Sequence, residues 1–202
     1  MKVKWQSVAV GLILGDGNLR PPTKRKGESL LDIKYSDRYL PYLRWLHRVF
    51  KPIGVNAIRP KEEYHQHRFY TKPAKELGKL YRLFYPKGKK CIPVEIGSLL
   101  TDPVSLAVWY MDDGSLDFRA GDHFNACIAT YNFSRADCEL LRKVFLVNFG
   151  LKVKIHRSTM RGKVYFRLYV SAESMGEFIR LISPHILPCF EYKISKVSQQ
   201  PR

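Results

Sequence analysis

The sequence has few cysteines and no long apolar run. Its four cysteines are scattered and form no Cys-x-x-Cys pair; they are Cys91, Cys127, Cys138 and Cys189. This spacing argues against a zinc site and favours a reducing compartment. No apolar run reaches the length of a membrane-spanning helix, and the first residues lack the apolar core of a signal peptide. We therefore expect an intracellular, soluble protein that does not bind a membrane.

Acidic residues are also scarce. The chain has 18 Asp and Glu against 35 Lys and Arg, which gives a net charge of +17 and a pI near 9.8. A charge this one-sided suggests a polyanionic partner, most simply nucleic acid, although a basic soluble enzyme is the alternative. The excess is uneven, with 21 basic and 8 acidic residues before position 101 and 14 and 10 after it. The two halves are therefore expected to bind their partner unequally.

Two short apolar runs, Ala9 to Gly17 and Leu106 to Gly114, both end in Asp-Gly. An apolar run that stops at Gly predicts a buried helix, the first over residues 5–16. Asp16 and Asp113 would then lie at helix C-termini, where the helix dipole disfavours a carboxylate by roughly 0.3–1 kcal/mol. Stability alone would not select an acid there, so a positive group is expected beside each one.

The segments around these runs occur twice, about a hundred residues apart. Asp16 precedes Asp113 by 97 residues, and Gly78 precedes Gly176 by 98. The periodicities predict a loop at 18–29, strands at 30–35, 55–71, 126–131, 152–156 and 164–171, and helices at 37–51, 74–84, 134–148 and 174–182. Two copies of one unit can meet in a pseudo-two-fold arrangement, and the Asp-Gly helices are the most apolar candidates for the contact.

The hairpin at 152–171 has one apolar face and one face of Lys, His, Arg and Tyr. Such a sheet can lie in the major groove of DNA, where cations meet phosphates and Arg, Tyr and Lys reach base edges, although a solvated face is the alternative. If the two helices pack side by side, Asp16 and Asp113 become neighbours between two basic sheets. Paired carboxylates beside a phosphate-binding surface suit Mg²⁺-assisted phosphodiester hydrolysis.

With these motifs and the duplicated body, the chain resembles the LAGLIDADG homing endonucleases of the single-chain, two-motif type. The resemblance implies an α+β fold with two αββαββα halves, residues 1–97 and 98–202. The halves would pack through the motif helices and lay two saddle-shaped antiparallel sheets on double-stranded DNA. It implies a staggered double-strand cut at a long site, which is expected to be non-palindromic because the loops that follow the motifs differ. An RNA-binding intron maturase on the same scaffold is the alternative, with intron RNA as its partner.

The resemblance also assigns roles by position. Asp16 and Asp113 would be the catalytic acids that bind Mg²⁺, for which Mn²⁺ is expected to substitute, and the carbonyls of Gly15 and Asp112 would be further metal ligands. The family's basic active-site residue falls on Lys90 and Lys193. Asp112 aligns with Gly15, so its side chain is expected to support the metal site rather than act as the catalytic acid.

The remaining expectations concern DNA contacts and assembly. Because Gly11 and Gly15 lie on the seam of the first helix and bulky Trp109, Tyr110 and Met111 on the second, the interface should be asymmetric and the protein a monomer. The host compartment would be a mitochondrion, a chloroplast or a prokaryotic cytoplasm. The candidate DNA-binding residues are Arg20, Lys24, Arg25, Lys26, Lys34, Arg59, Lys61, Arg68, Tyr70, Lys152, Lys154, His156, Arg157, Arg161, Lys163, Tyr165, Arg167 and Tyr169.

Overall fold

The structure is a computed structural model that describes residues 3–23, 26–118, 124–160 and 162–195. Each half of the chain has the order αββαββα and contains a four-stranded antiparallel sheet. The predicted α+β class and the pair of repeated halves are therefore confirmed. A continuous apolar core runs through both halves, and the two motif helices lie at its centre. Among the described residues, no helix combines the length and hydropathy that crossing a bilayer requires.

The N-terminal half contains three helices and one sheet. Its helices are α1 (Trp5–Leu14), α2 (Leu40–Phe50) and α3 (Lys75–Phe84). Its strands are β1 (Asn18–Leu19), β2 (Leu31–Ser36), β3 (Arg59–Lys61) and β4 (Gln66–Tyr70), in the spatial order β1-β2-β4-β3. The core side of β2 carries Leu31, Ile33 and Tyr35, which pack beneath α1 and α2.

The C-terminal half repeats this arrangement after the short helix α4 (Ile96–Leu99). Its helices are α5 (Pro103–Asp113), α6 (Arg135–Phe149) and α7 (Ala172–Ile182). Its strands are β5 (Gly114–Phe118), β6 (Phe124–Ala129), β7 (Val153–Met160) and β8 (Lys163–Val170), in the order β5-β6-β8-β7. The proposed boundary at 97/98 falls inside α4 and stays a prediction.

Local sequence signals explain several helix ends. The Asp102 side chain accepts a hydrogen bond from the Val104 N–H and starts α5, with Pro103 in the first turn. Ser134 and Asp137 form a reciprocal capping box at the start of α6. This helix ends at Gly150, whose φ of 66° lies in the left-handed region that glycine adopts at low cost.

The structure differs from the predictions most clearly at α1, β1 and β5. Helix α1 ends at Leu14, so Asp16 lies two residues beyond the helix rather than within it. The segment predicted as a loop at 18–29 begins with strand β1, which is only two residues long and carries no periodic signal. Strand β5 was also missed, because the residues after Gly114 look like a short loop of mixed charge until they pair with β6.

The two motif helices approach closely at Gly11 of α1. A Cβ atom there would stand 2.4 Å from the Ser105 carbonyl oxygen and 2.8 Å from the Val108 Cβ, so only glycine fits. The Ser105 hydroxyl donates a 2.7 Å hydrogen bond to the Ser7 carbonyl across the same seam. The seam is therefore lined by Gly on one helix and by Ser and Val on the other.

The prediction that Trp109 and Tyr110 lie on this seam is wrong. The Trp109 ring packs at 6.1 Å from Phe145 of α6, and the Tyr110 ring at 5.1 Å from Phe178 of α7. Both side chains therefore fill the core of their own half. The helical interface remains asymmetric, but the asymmetry comes from the smaller residues that line the seam.

The segments that follow α3 and α7 cross between the halves. The Ile92 N–H donates a 3.0 Å hydrogen bond to Asp137 of α6, in the C-terminal half. In the opposite direction, Phe190 stacks at 4.8 Å on Tyr39 and packs edge-on at 5.0 Å against Tyr42, in the N-terminal half. Each half is therefore covered by the end of the other.

Candidate active site and nucleic-acid interface

The motif helices bring their Asp-Gly ends together. A Cβ atom on Gly15 would stand 2.6 Å from the Asp112 carboxylate, so the chain reversal after α1 touches the end of α5. The Asp16 backbone N–H donates a 3.1 Å hydrogen bond to the same carboxylate. Asp113 is the last residue of α5 and corresponds in the repeat to Asp16, which lies two residues beyond α1. The two acids predicted as a pair therefore lie at adjoining helix ends.

Asp112 itself is engaged by the protein. Its Oδ1 accepts a 2.8 Å hydrogen bond from the Tyr35 hydroxyl of β2, and its Oδ2 accepts the Asp16 N–H. Burial, followed by the charge of Asp16, raises the pKa of the Asp112 carboxyl well above its usual range. The Asp112 side chain therefore links the C-terminal half to Tyr35 and Asp16 of the N-terminal half, whereas Asp113 does not take part in these two bonds.

Two lysines meet the C-terminal carbonyls of the motif helices. Lys90 Nζ donates to the Gly15 carbonyl at 3.0 Å and to the Leu14 carbonyl at 3.3 Å. Lys193 Nζ donates to the Met111 carbonyl at 2.6 Å and to the Asp112 carbonyl at 3.3 Å. Each lysine thus places a positive charge where the helix dipole is negative. The positive group expected beside each acid is present in both halves.

Burial governs the electrostatics of these groups. Burial and then the charge of Asp16 raise the pKa of Asp113 to about 6, even though Lys90 opposes the shift. The pKa values of Lys90 and Lys193 are lowered by burial, while the surrounding aspartates act to raise them. Lys193 is the more enclosed of the two, with 8% of its surface exposed. Negative charge is therefore crowded at the helix ends and only partly offset by the two ammonium groups.

The donor set suits a hard divalent cation. Asp16 and Asp113 offer carboxylate oxygens, whereas both oxygens of Asp112 already accept hydrogen bonds. The carbonyls of Gly15 and Asp112 each accept a lysine bond, which leaves one lone pair on each oxygen. In the described part of the chain, no three His, Cys, Asp or Glu side chains converge as a metal site. A site with so few side chains fits Mg²⁺, which binds proteins through one or two carboxylates and keeps its other positions for water and phosphate.

The outer face of the N-terminal sheet is basic and adjoins Asp16. The strand register places Lys34, Arg68 and Arg59 side by side across β2, β4 and β3. A depression of about 320 Å³ lies on this face, bounded by Asp16, Asn18, Arg20, Asp32, Lys34, Lys61, Tyr64, Gln66 and Arg68. Six predicted residues therefore share one surface, since Tyr70 also stacks on Arg68 at 4.5 Å.

The outer face of the C-terminal sheet is aromatic as well as basic. Lys154 stands opposite Tyr169, and His156 stands opposite Arg167. The His156 and Tyr169 rings stack at 4.2 Å, and Arg167 lies 5.0 Å from the Tyr131 ring. Tyr165 follows on the same face towards the hairpin end, where Lys163 begins β8.

Some predicted DNA contacts lie elsewhere. Arg157 pairs with Phe166 and so points to the face opposite His156, because successive strand residues alternate. The Lys152 ammonium forms a 2.9 Å ion pair with Glu173 at the start of α7. Lys26 lies in the exposed loop between β1 and β2. Lys24, Arg25 and Arg161 lie outside the described residues.

Two residues of the site were not singled out from the sequence. Asp32 was noted only as a polar position of a strand, yet it is 4% exposed and holds Arg20 and Arg68. Tyr35 looked like an ordinary core residue, and its hydroxyl reaches Asp112 across 77 positions of the chain. An acid in the middle of an otherwise basic strand face is the one signal that pointed to Asp32.

The sequence model of the LAGLIDADG DNA endonuclease family matches residues 6–178. Protein RecA of Mycolicibacterium flavescens is 30% identical over 93% of this chain, but the match covers 45% of the RecA protein. The cytochrome b mRNA maturase bI2 of Debaryomyces hansenii is 26% identical over 91% of this chain and 71% of the maturase. The chain thus spans about half the length of the RecA relatives.

Solved structures share the fold. The homing endonuclease I-WcaI bound to its DNA recognition sequence superposes with a TM-score of 0.75 at 23% identity, over 96% of this chain and 88% of that one. I-DmoI in complex with DNA and Mn superposes with a TM-score of 0.56 at 19% identity, over 88% of this chain and 95% of that one. At such identities the likeness concerns the backbone.

Proposed function

Because this chain belongs to the LAGLIDADG DNA endonuclease family, we propose that it is a site-specific, Mg²⁺-dependent homing endonuclease. It hydrolyses phosphodiester bonds in both strands of a long, non-palindromic duplex and leaves a staggered cut. The observation that carries the proposal is the placement of Asp16 and Asp113 at adjoining helix ends, between two sheets with basic outer faces. It acts as an intracellular monomer, in an organelle or a prokaryotic cytoplasm.

The chemistry divides between the helix ends and the sheets. A bound Mg²⁺ supplies a Lewis acid for the scissile phosphate and an activated water. Asp16 and Asp113 would hold the metal, and its positive charge would offset the repulsion between these carboxylates, which contributes to the raised pKa of Asp113. Lys90 and Lys193 fix the helix ends through their carbonyl bonds and place positive charge beside the phosphate. The outer sheet faces hold the duplex by phosphate and base contacts.

The test is to replace each acid by its amide. Asp16→Asn and Asp113→Asn should each reduce double-strand cleavage by about 100-fold or more, since each removes a metal-binding carboxylate. Linearisation of a plasmid that carries a duplex selected for binding is followed with Mg²⁺ and with EDTA, and duplex affinity is measured separately.

Glu95→Gln, at an exposed position just before α4, is the matched neutralisation control and should cut normally. Affinity for the duplex should change little in either Asp variant. If either variant cut both strands at the wild-type rate, the shared-metal mechanism would be wrong.

The alternative function is an RNA-binding intron maturase. The similarity to the cytochrome b mRNA maturases of Debaryomyces hansenii and Saccharomyces cerevisiae favours keeping it. The two acids and two lysines at the helix ends favour the nuclease, because a splicing factor needs none of them. Affinity for the host intron RNA, compared with affinity for the intronless DNA site, separates the two functions.

A further inference from the structure

The two sheets carry equivalent rows of residues on their outer faces. In the N-terminal sheet Asp32 stands between Asn18 of β1 and Tyr70 of β4. In the C-terminal sheet Cys127 stands between Ser115 of β5 and Tyr169 of β8. Asp32 and Cys127 therefore occupy the same place in the repeated unit.

An arginine precedes the tyrosine of each row by two residues: Arg68 in the first half and Arg167 in the second. The halves differ at the residue two positions after Asn18 and Ser115. It is Arg20 in the first half and Asp117 in the second. The first half thus has one carboxylate between two arginines. The second half has a thiol in place of that carboxylate.

Asp32 holds both arginines by the same edge. Arg20 donates to Oδ2 through Nε at 3.0 Å and through Nη2 at 2.5 Å. Arg68 donates through Nε to Oδ1 at 2.5 Å and through Nη2 to Oδ2. These bonds occupy the side edge of each guanidinium and leave its end edge, formed by Nη1 and the second Nη2 hydrogen, without a partner among the described residues. The Tyr70 ring stacks on Arg68 and restricts it further.

The free edge of a fixed guanidinium offers two parallel donors. Among the base pairs in the major groove, guanine alone presents two adjacent acceptors, O6 and N7. Adenine presents a donor beside its acceptor, and cytosine presents a donor. Asp32 and Arg68 also lie on the two inner strands of the sheet, β2 and β4, and border the same depression as Asp16. Contacts with base edges, unlike contacts with phosphates, carry sequence information.

We propose that Arg68, held by Asp32 together with Arg20, is a preorganised guanine-recognition residue of the N-terminal sheet. The inference rests on the proposed function, because it names part of the target that the enzyme recognises. Asp32 is a positioning residue: it fixes the guanidinium before DNA binds, so the side-chain entropy is lost on folding rather than on recognition.

The C-terminal sheet lacks this arrangement. The Arg167 side chain meets the Cys127 thiol, the Tyr169 hydroxyl and the Tyr131 ring, and its buried Nε has no hydrogen-bond partner among the residues that the structure describes. A thiol is a weak acceptor and cannot fix a guanidinium as a carboxylate does. Arg167 is therefore the counterpart of Arg68 in the repeat, but no carboxylate at the position of Asp32 fixes its guanidinium.

The experiment is a selection of binding sites from duplexes with randomised sequence, performed in EDTA so that no strand is cut. Wild-type protein, Arg68→Lys, Asp32→Cys and Arg167→Lys are selected in parallel, and thermal unfolding checks that each variant folds. Wild-type protein should select a guanine at one position about 5- to 100-fold over the other bases. Arg68→Lys keeps the charge but loses the paired donors, so it should lose that preference while retaining overall affinity within a few-fold.

Asp32→Cys gives the N-terminal sheet the residue of its counterpart and should weaken the same preference. Arg167→Lys should leave this guanine unchanged. The inference is overturned if Arg68→Lys selects the same guanine as strongly as wild-type protein, and the proposed function then still stands. If wild-type protein selects no sequence at all, site-specific binding and the inference both fail. If Asp32→Cys does not fold, Arg68→Lys decides alone.

Discussion

The two halves of the molecule share one order of elements and one pair of sheets, but they fill equivalent positions with different chemistry. At the helix seam, Gly11 of α1 meets Ser105 and Val108 of α5. On the outer faces, Asp32, which binds two arginines in one half, corresponds to the Cys127 thiol in the other. What both halves keep is an acid and a lysine at the end of the motif helix. Under the proposed function, the shared features would serve the reaction, and the differences would let one chain recognise two unequal half-sites.

The largest expected difference between equivalent positions concerns Gly78 of α3 and Gly176 of α7. A Cβ atom on Gly78 would stand 1.9 Å from the Gly27 carbonyl oxygen, so Gly78→Ala must displace the loop between β1 and β2. We expect it to lower the free energy of unfolding by about 3 kcal/mol. A Cβ atom on Gly176 meets nothing within 4 Å, so Gly176→Ala should raise it by about 0.5–1 kcal/mol. Denaturant unfolding measures both free energies. Equal effects of the two substitutions would show that Gly78 and Gly176 have similar surroundings, contrary to the structure.

The next effect separates the two lysines. Lys90→Met and Lys193→Met should each slow cleavage by about 10- to 100-fold, because each removes positive charge beside one acid. If each lysine serves its own half, nicked circular plasmid should accumulate before the linear form appears. Lys193→Met should also cost roughly 1–3 kcal/mol of stability, since it leaves the buried Met111 carbonyl without its donor. Equal slowing of both strands, with no nicked intermediate, would contradict this division.

The smallest effect concerns Asp32 and acid pH. Burial acts to raise the pKa of this carboxyl, but the hydrogen bonds and charges of Arg68 and Arg20 outweigh it and hold the pKa below its usual range. A lowered pKa in the folded state stabilises the protein above the unfolded pKa, near about 3.9, and this contribution is lost as pH falls through the folded value. Asp32→Asn should therefore lower stability by about 2 kcal/mol at pH 7 and by progressively less below about pH 4.

Thermal unfolding between about pH 2 and about pH 8 checks this expectation. Cys127→Ala in the other half is the comparison, because burial raises the pKa of that thiol and it stays neutral throughout the acid range. Any loss of stability from Cys127→Ala should not shrink in acid. A constant deficit for Asp32→Asn down to pH 2 would show that the arginine pairs do not stabilise the fold through the charge of Asp32.

The elements that sequence alone predicts are those with strong local signals. The amphipathic helix α6 has its capping box and its terminal Gly150, and its predicted ends lie within one residue of those observed. The Asp-Gly dipeptide that ends each apolar run also matched Asp113, rather than Asp112, with Asp16. Strand β1 escaped because two residues cannot show a period.

The features that sequence could not predict depend on contacts between distant positions. The bond from Tyr35 to Asp112 joins residues 77 positions apart, and nothing local distinguishes Tyr35 from other core tyrosines. The ion pair between Asp32 and Arg68 requires the observed register of β2 against β4, since a shift of one residue would place Asp32 in the core. The face of Arg157 depends on the same kind of contact, because it is set by pairing with Phe166.

The crossed terminal segments have a consequence for the evolution of the chain. Phe190 covers Tyr39 and Tyr42 of the other half, and the segment at Ile92 is anchored on Asp137 in return. Neither half is therefore independent, because removal of one half would expose apolar side chains of the other. The crossing contacts should also make the two halves unfold together in a single transition. A chimaera with a foreign half would therefore need each crossing segment to be exchanged together with the surface that it covers.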